Sequence, residues 1–356
     1  MKRPRVAVVL FNLGGPDRPE SIKPFLLNLF RDPAILRVPV FVRPFLARII
    51  ARARVKPATE IYASMGGKSP LLDLTEAQAR ALEPLLTECE ARAFVAMRYW
   101  HPFAAETVRA VKAFDPDEIV LLPLYPQYST TTTGSSLTDW RAAAAAAGLV
   151  KPVVSLCCYH DDAAFIAATA AIVQRAYDDA HAALPDDVGL RILFSAHGLP
   201  EVIIRQGDPY QFQVEQTVAA VVAKLGIAGL DSSICYQSRA TPQVWIGPST
   251  DAEVERAGHD KTALLVVPIA FVSDHSETLV ELDLEYRELA HKVGVPAYFR
   301  APAANSDPAF IAALAGLVRS ARAHGPGLCA AAARGICPAA NKDCPHRRAG
   351  PANSAP

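Results

Sequence analysis

Short runs of aliphatic and β-branched residues alternate along this chain with longer stretches in which apolar positions recur every three or four residues. That alternation predicts a parallel sheet covered by helices. Strands are expected near residues 6–13, 93–98, 118–124 and 153–157, and again near 190–195, 232–236, 264–271 and 297–299. Helices are expected over 19–31, 72–90, 136–147, 162–183, 211–225, 276–293 and 308–323. The two halves echo each other, because Leu-Leu-Pro-Leu-Tyr-Pro from Leu121 to Pro126 has the pattern of Val-Val-Pro-Ile-Ala-Phe from Val266 to Phe271. The fold expected is α/β. It has two similar Rossmann-like domains, 1–160 and 161–323, each with a four-stranded parallel sheet, followed by a cysteine-containing extension over 324–356. In doubly wound sheets ligands bind beyond the carboxyl edges of the strands, so the ligand is expected in a cleft between the two edges.

The chemistry clusters at expected strand ends. Phe-Ser-Ala-His-Gly-Leu-Pro, from Phe194 to Pro200, puts the His197 imidazole at a carboxyl edge, where Gly198 permits a turn and close approach of a ligand. After Phe271 come Asp274, His275, Glu277, Glu281, Asp283 and Glu285, with no basic residue before Arg287. Like charges four apart cost an isolated helix roughly 0.2 to 0.5 kcal/mol per pair, so a solvated face would mix in lysines. A π-type turn, with hydrogen bonds from i to i+5, is predicted here, lining up Glu277, Glu281 and Glu285. Such a row beside a histidine suits guiding a divalent cation, Fe²⁺ among them, and carrying protons away. The catalyst is expected where His197 from one half meets the glutamates from the other across a slot.

Three further segments stand out. Residues 37–56 hold six cations and no acid among Val40, Phe41, Phe45 and Ile49, which suits an anionic membrane surface or an apolar pocket lip; an ordinary core-packed helix is the alternative. Residues 125–136 are rich in hydroxyls and can hold an anion or cap a helix. Arg98-Tyr99-Trp100-His101, Tyr236-Gln237-Ser238-Arg239 and Trp245 offer rings and donors for a flat ligand with acidic edges. No Walker lysine follows the hydroxyl loop and Gly14-Gly15 lacks a dinucleotide spacing, so nucleotide chemistry is disfavoured.

Composition narrows the class. Lys plus Arg equal Asp plus Glu at 36 each, which gives no electrostatic reason to expect nucleic acid. No apolar run approaches the ~18 to 20 residues that span a bilayer, and the apolar run at 6–11 is expected to be a strand rather than a signal peptide. Seven cysteines in a chain of 356 residues point to a reducing cytoplasm and a metal centre rather than a disulfide scaffold.

Phe-Asn-Leu-Gly-Gly-Pro from Phe11, Gly-Gly-Lys-Ser-Pro-Leu from Gly66, Met-Arg-Tyr-Trp-His-Pro from Met97, Leu-Pro-Leu-Tyr-Pro-Gln-Tyr-Ser, Phe-Ser-Ala-His-Gly-Leu-Pro, Tyr-Gln-Ser-Arg and Pro-Ile-Ala-Phe-Val-Ser-Asp-His-Ser-Glu-Thr-Leu together resemble ferrochelatase. The resemblance runs in the family's order from residue 11 to about 290. It implies insertion of Fe²⁺ into protoporphyrin IX with release of two protons, the last step of haem synthesis. It implies that His197 and Glu277 are catalytic and contact the iron, with Asp274, His275, Glu281 and Glu285 as an acidic path. It places Leu13, Tyr62, Arg98, Tyr99, Ser129, Trp245 and Phe271 at the porphyrin, and makes residues 37–56 a pocket lip that meets the membrane. Leu13 stands where forms acting on coproporphyrin often carry tyrosine. A pocket that binds the macrocycle puckered favours the transition state over the flat substrate. Other readings are a chelatase for another metal or for coproporphyrin III, and a non-catalytic haem or redox sensor. A cytoplasmic enzyme, peripheral at the inner face of the membrane, is expected, with a homodimer left open.

Beyond residue 323 the helical pattern gives way to Gly, Ala, Pro and Cys. Cys329, Cys337 and Cys344, with one cysteine of the body, would supply four thiolates to a [2Fe–2S] cluster, as in some ferrochelatases. The internal ligand of the animal form corresponds here to Thr130, so Cys158 is expected as the fourth, with Cys157 the alternative. A zinc site that includes His346, or free thiols, are the competing readings. Cys89 and Cys235 read as buried structural residues.

Overall fold

The computed structural model describes residues 3–238, 243–331 and 337–348. In chain order the elements are β1 (Arg5–Asn12), α1 (Ile22–Arg31), α2 (Arg43–Ser64), α3 (Leu71–Leu82), β2 (Glu90–Met97), α4 (Ala104–Phe114), β3 (Glu118–Pro123), α5 (Thr133–Ala146), β4 (Val153–Leu156), α6 (Ala163–Ala182), β5 (Leu190–His197), α7 (Glu201–Arg205), α8 (Tyr210–Leu225), β6 (Ser232–Gln237), α9 (Thr250–Asp260) and β7 (Ala263–Pro268). Then follow a π-helix (Glu277–Glu285), α10 (Tyr286–Val293), β8 (Tyr298–Arg300), α11 (Pro308–His324), β9 (Gly327–Cys329) and α12 (Pro345–Arg348).

The chain divides into two compact units. The first holds Met1–Cys158 and Leu314–Ala330; the second holds Tyr159–Ala313 and Ala331–Arg348. The first contains a five-stranded parallel sheet in the order β2-β1-β3-β4-β9, and the second a four-stranded one in the order β6-β5-β7-β8. The fifth strand corrects the expectation of four in each. Its three residues carry no pattern of their own and become a strand because β4 offers an open edge, with Leu156 opposite Cys329. The central strands are buried on both faces, from Val6 to Phe11 in the first unit and from Ile192 to Ala196 in the second. That explains why they read as unbroken apolar runs. The internal echo also has a structural counterpart: Pro123 pairs with Phe11 on β1, and Pro268 with Ser195 on β5.

Helix assignments differ from expectation at identifiable places. The predicted helix 72–90 stops at Leu82, passes through a 3₁₀ turn at Glu83–Leu85 and enters β2 at Glu90. Pro84 cannot supply the amide that another helical turn needs. Helices α4, α7, α9 and α12 were not expected. Ser249 starts α9, its side chain accepting from the Ala252 amide at 3.2 Å, a cap in front of an otherwise charged segment. The basic segment resolves into α2 and the turn before it. Ala47 is buried, and Ala51 and Tyr62 are buried in a cluster with Ile22, Phe25 and Leu26, while Val40, Phe41, Phe45 and Ile49 are 50 to 82% exposed.

Candidate active site

In a sheet ordered 2-1-3-4 the chain leaves the first and third strands toward opposite faces, which opens a crevice at their carboxyl ends. In the second unit those strands are β5 and β7. His197 is the last residue of β5, Gln237 the last of β6, and the chain from β7 runs into the π-helix. Residues far apart in sequence therefore converge on one edge. His197 Nδ1 lies 2.9 Å from Glu277 Oε2, and His275 Nε2 lies 3.9 Å from the same oxygen. The other His275 nitrogen, Nδ1, is 3.1 Å from the Ser273 carbonyl, so it donates there and turns Nε2 toward the carboxylate. Both His197 and Glu277 belong to the second unit. The expectation of a histidine from one half and glutamates from the other is corrected: one sheet edge assembles the pair.

The π-helix appears where the acidic row predicted a widened turn, over nine residues from Glu277. Exposure rises along the row. Glu277 and Glu281 are half-buried and Glu285 is exposed. Glu281 accepts from the Ser238 amide at 2.8 Å and from its hydroxyl, and lies 3.3 Å from the Gln237 side-chain amide. Ser238 has a φ of +67°, a left-handed backbone that presents both its donors to one carboxylate. Gln237 is in turn held by Ser195, which donates to its Oε1 at 2.7 Å.

The electrostatics follow from this arrangement. Burial opposes a charged His197, but Glu277 beside it wins and raises the imidazole pKa above its ordinary value. Burial likewise opposes ionisation of Glu277, and the two imidazoles overcome it, holding this carboxyl well below the usual range. Glu281 moves the other way. Burial and the neighbouring Glu277 charge push it up to about 7, so it exchanges protons near neutrality. Asp274 and His275 are near the row but differently engaged: Asp274 pairs with Arg300 at 3.1 Å and accepts from Asn305 at 2.7 Å.

Trp245 and Phe271 lie at the same edge. Trp245 pairs with Pro200 through the backbone, and the Phe271 ring lies tilted against His275 at 4.7 Å between ring centroids. Gly198 proves necessary for a different reason from the turn expected. A Cβ there would meet the Gln237 carbonyl at 2.8 Å and the Trp245 ring at 3.2 Å. Arg239 of the Tyr-Gln-Ser-Arg motif lies outside the described residues.

In the first unit Leu13, Arg98, Tyr99 and Ser129 follow the carboxyl ends of β1, β2 and β3, and Tyr62 is in α2. Tyr99 is fully buried and donates to Asp32 at 2.8 Å. Arg98 pairs with the same carboxylate at 2.9 Å and donates to Ser135 at 2.6 Å. Asp32 escaped the reading of the sequence, where Arg-Asp-Pro looks like an ordinary helix end. Ser129 is buried and bonded to Thr131 at 2.8 Å. The hydroxyls of Thr132 and Thr133, at the start of α5, have no hydrogen-bond partner among the described residues.

The three tail cysteines are buried, Cys329 beside Cys157 and Cys158 and Cys344 beside Cys337. In the first unit Cys329 is on β9, where its carbonyl accepts from the Cys157 amide at 2.8 Å, and burial, with Cys158 nearby, pushes its thiol up to about 12. Cys157 and Cys158 sulfurs are 3.3 Å apart. In the second unit Cys337 accepts from Gln213 at 3.3 Å, and the free thiols of Cys344 and Cys337 are hydrogen-bonded to each other. That hydrogen bond and backbone amides hold the Cys344 thiol below its ordinary value, against its burial. Thiols are the donors that iron–sulfur clusters take. Among the described residues no group of three or more His, Cys, Asp or Glu is disposed to hold a metal ion.

The ferrochelatase family model matches residues 5–322. The chain belongs to the ferrochelatase family. A ferrochelatase of Phenylobacterium zucineum is 53% identical over 347 residues, 95% of this chain and 98% of that protein. One of Caulobacter vibrioides is 50% identical over 347 residues, 96% and 98% of the two chains. The fold is also that of SirB from Bacillus subtilis, solved with Fe³⁺, at a TM-score of 0.53 and 12% identity, covering 91% of this chain and 97% of that one. Membership makes this a metal chelatase of haem synthesis, an enzyme whose substrates are ferrous iron and a porphyrin.

Proposed function

We propose that this ferrochelatase inserts Fe²⁺ into protoporphyrin IX, with His197 accepting a pyrrole proton and Glu277 and Glu281 relaying protons toward Glu285. The observation that carries the reading is the 2.9 Å pair of His197 and Glu277 at the strand-switch edge, continued by a carboxyl that titrates at about 7. Nδ1 of His197 is engaged by the carboxylate, so Nε2 faces the pyrrole nitrogen. Metal entry releases two protons, and a row that becomes more exposed along its length carries them to water. Protoporphyrin is favoured over coproporphyrin by Leu13. Anaerobic incubation with Fe²⁺ tests this. Haem should form faster from protoporphyrin IX than from coproporphyrin III; the reverse order sinks the choice of porphyrin, and binding without turnover would make the chain a sensor.

The exposed Val40, Phe41, Phe45 and Ile49, among Arg43, Arg48 and Arg52, support peripheral contact with anionic lipid from the cytoplasmic side. No helix among the described residues is long and apolar enough to cross a membrane. Sedimentation with anionic vesicles should be lost on replacing Phe41 and Phe45 by Asp. Cys158, Cys329, Cys337 and Cys344 are proposed to hold a [2Fe–2S] cluster, a one-electron redox centre, a reading supported by their being buried free thiols. Protein purified without oxygen should carry visible charge-transfer absorption and acid-labile sulfide, both abolished by Cys344→Ser. Colourless, sulfide-free protein would exclude the cluster.

A further inference from the structure

A π-helix is rare because a widened turn is poorer than an α-turn, so something outside the helix must favour it. The short strand β8 is placed to do so. Tyr298 and Arg300, two residues apart, project from one face of the sheet, where Tyr298 packs in a cluster with Leu282 and Tyr286. The Arg300 guanidinium reaches Asp283, inside the π-helix, through Nε at 2.8 Å, and Asp274, just before it, through Nη1 at 3.1 Å. Asp274 is fixed in turn by Thr278, which donates to it at 2.9 Å, and by Asn305, which donates at 2.7 Å. Asn305 adopts a φ of +42° there. The Tyr298 hydroxyl donates at 2.6 Å to the Leu282 carbonyl, in the middle of the widened segment.

One planar cation thus ties the residue that precedes the helix to a residue six positions past its first. Tightening the segment to α geometry would rotate Asp283 against the helix start by on the order of 100°. A single guanidinium could not then reach both carboxylates. All three charged side chains are at most 25% exposed, which makes a lost partner costly.

We propose that Arg300 and Tyr298 are positioning residues that hold the π register, and that Asp274 and Asp283 are parts of this brace. Its purpose is to keep Glu277 against His197 and Glu281 against Ser238. The proposal rests on the reading of His197 and the carboxylate row as the working centre.

Arg300→Lys keeps the charge but not the planar fork. Tyr298→Phe keeps the ring and removes one hydrogen bond. In steady-state assays, R300K should lower kcat at least tenfold and Y298F at least threefold. The KM for ferrous iron should rise in both, with the porphyrin KM within twofold of wild type and little change in melting temperature for Y298F. Wild-type kcat and iron KM in folded Y298F, or a loss confined to the melting temperature, would overturn the brace. Glu277→Gln separates the two ideas. If E277Q is inactive while R300K and Y298F are not, the brace alone fails; if E277Q turns over normally, the reading of the row fails and takes the brace with it.

Discussion

Replacing His197 by alanine is expected to lower kcat by about 10² to 10⁴, the usual contribution of a positioned proton acceptor. The fold should survive, because the side chain is 37% exposed and its side-chain contact is with Glu277 at the site itself. Its pKa is raised by that carboxylate. In the wild type the neutral acceptor is therefore scarce at low pH, and the rate should climb as pH rises through a value above the ordinary imidazole ~6.5. The sign for stability is opposite. A raised folded-state pKa contributes stability that is fully present below the unfolded value and is lost as pH rises through the folded one. H197A should remove the imidazole's share of both dependences, leaving that of Glu281 at about 7, and rate and melting temperature measured across pH 5 to 9, roughly spanning these values, will check it. A variant with normal turnover would refute any role for this imidazole in proton transfer or iron contact.

The largest loss of stability is expected at Asp32. Its carboxylate accepts from Tyr99, Ser135 and Arg98, and from the Ala34 amide at 2.8 Å, while being only 4% exposed as a residue. Asp32→Ala takes the buried carboxylate away from the Arg98 guanidinium, which keeps only Ser135 and a distant Asp139, and leaves the Tyr99 phenol without its acceptor, which costs about 3 to 5 kcal/mol. For a unit of this size that lowers the melting temperature by roughly 6 to 20 °C. Asp32→Asn should fall between, since an amide oxygen still accepts but offers no charge to Arg98. Thermal unfolding followed by circular dichroism decides; a shift under about 2 °C would mean that solvent reaches Arg98 and replaces the carboxylate.

Legibility differed from element to element for physical reasons. Strands such as 118–124 were visible because a strand buried on both faces must be apolar throughout. The widened helix was visible because three carboxylates at four-residue spacing conflict with an ordinary surface helix. Helix α9 was missed because its exposed face carries most of its residues, and only Val254, Ala257 and Gly258 signal the buried one.

The chain by itself determined the class of fold, the identity of the histidine and of the acidic row, and the family, because apolar periodicity and local motifs need no partner to be recognised. Tertiary structure alone decided that His197 and Glu277, 80 residues apart, share one sheet edge, that Asp32 holds Arg98 and Tyr99, that three residues of the tail become a strand, and that Arg300 bridges two aspartates. Each of these is a contact between distant segments. Its energy depends on distance, burial and the direction of a donor, and those quantities exist only once the chain has folded.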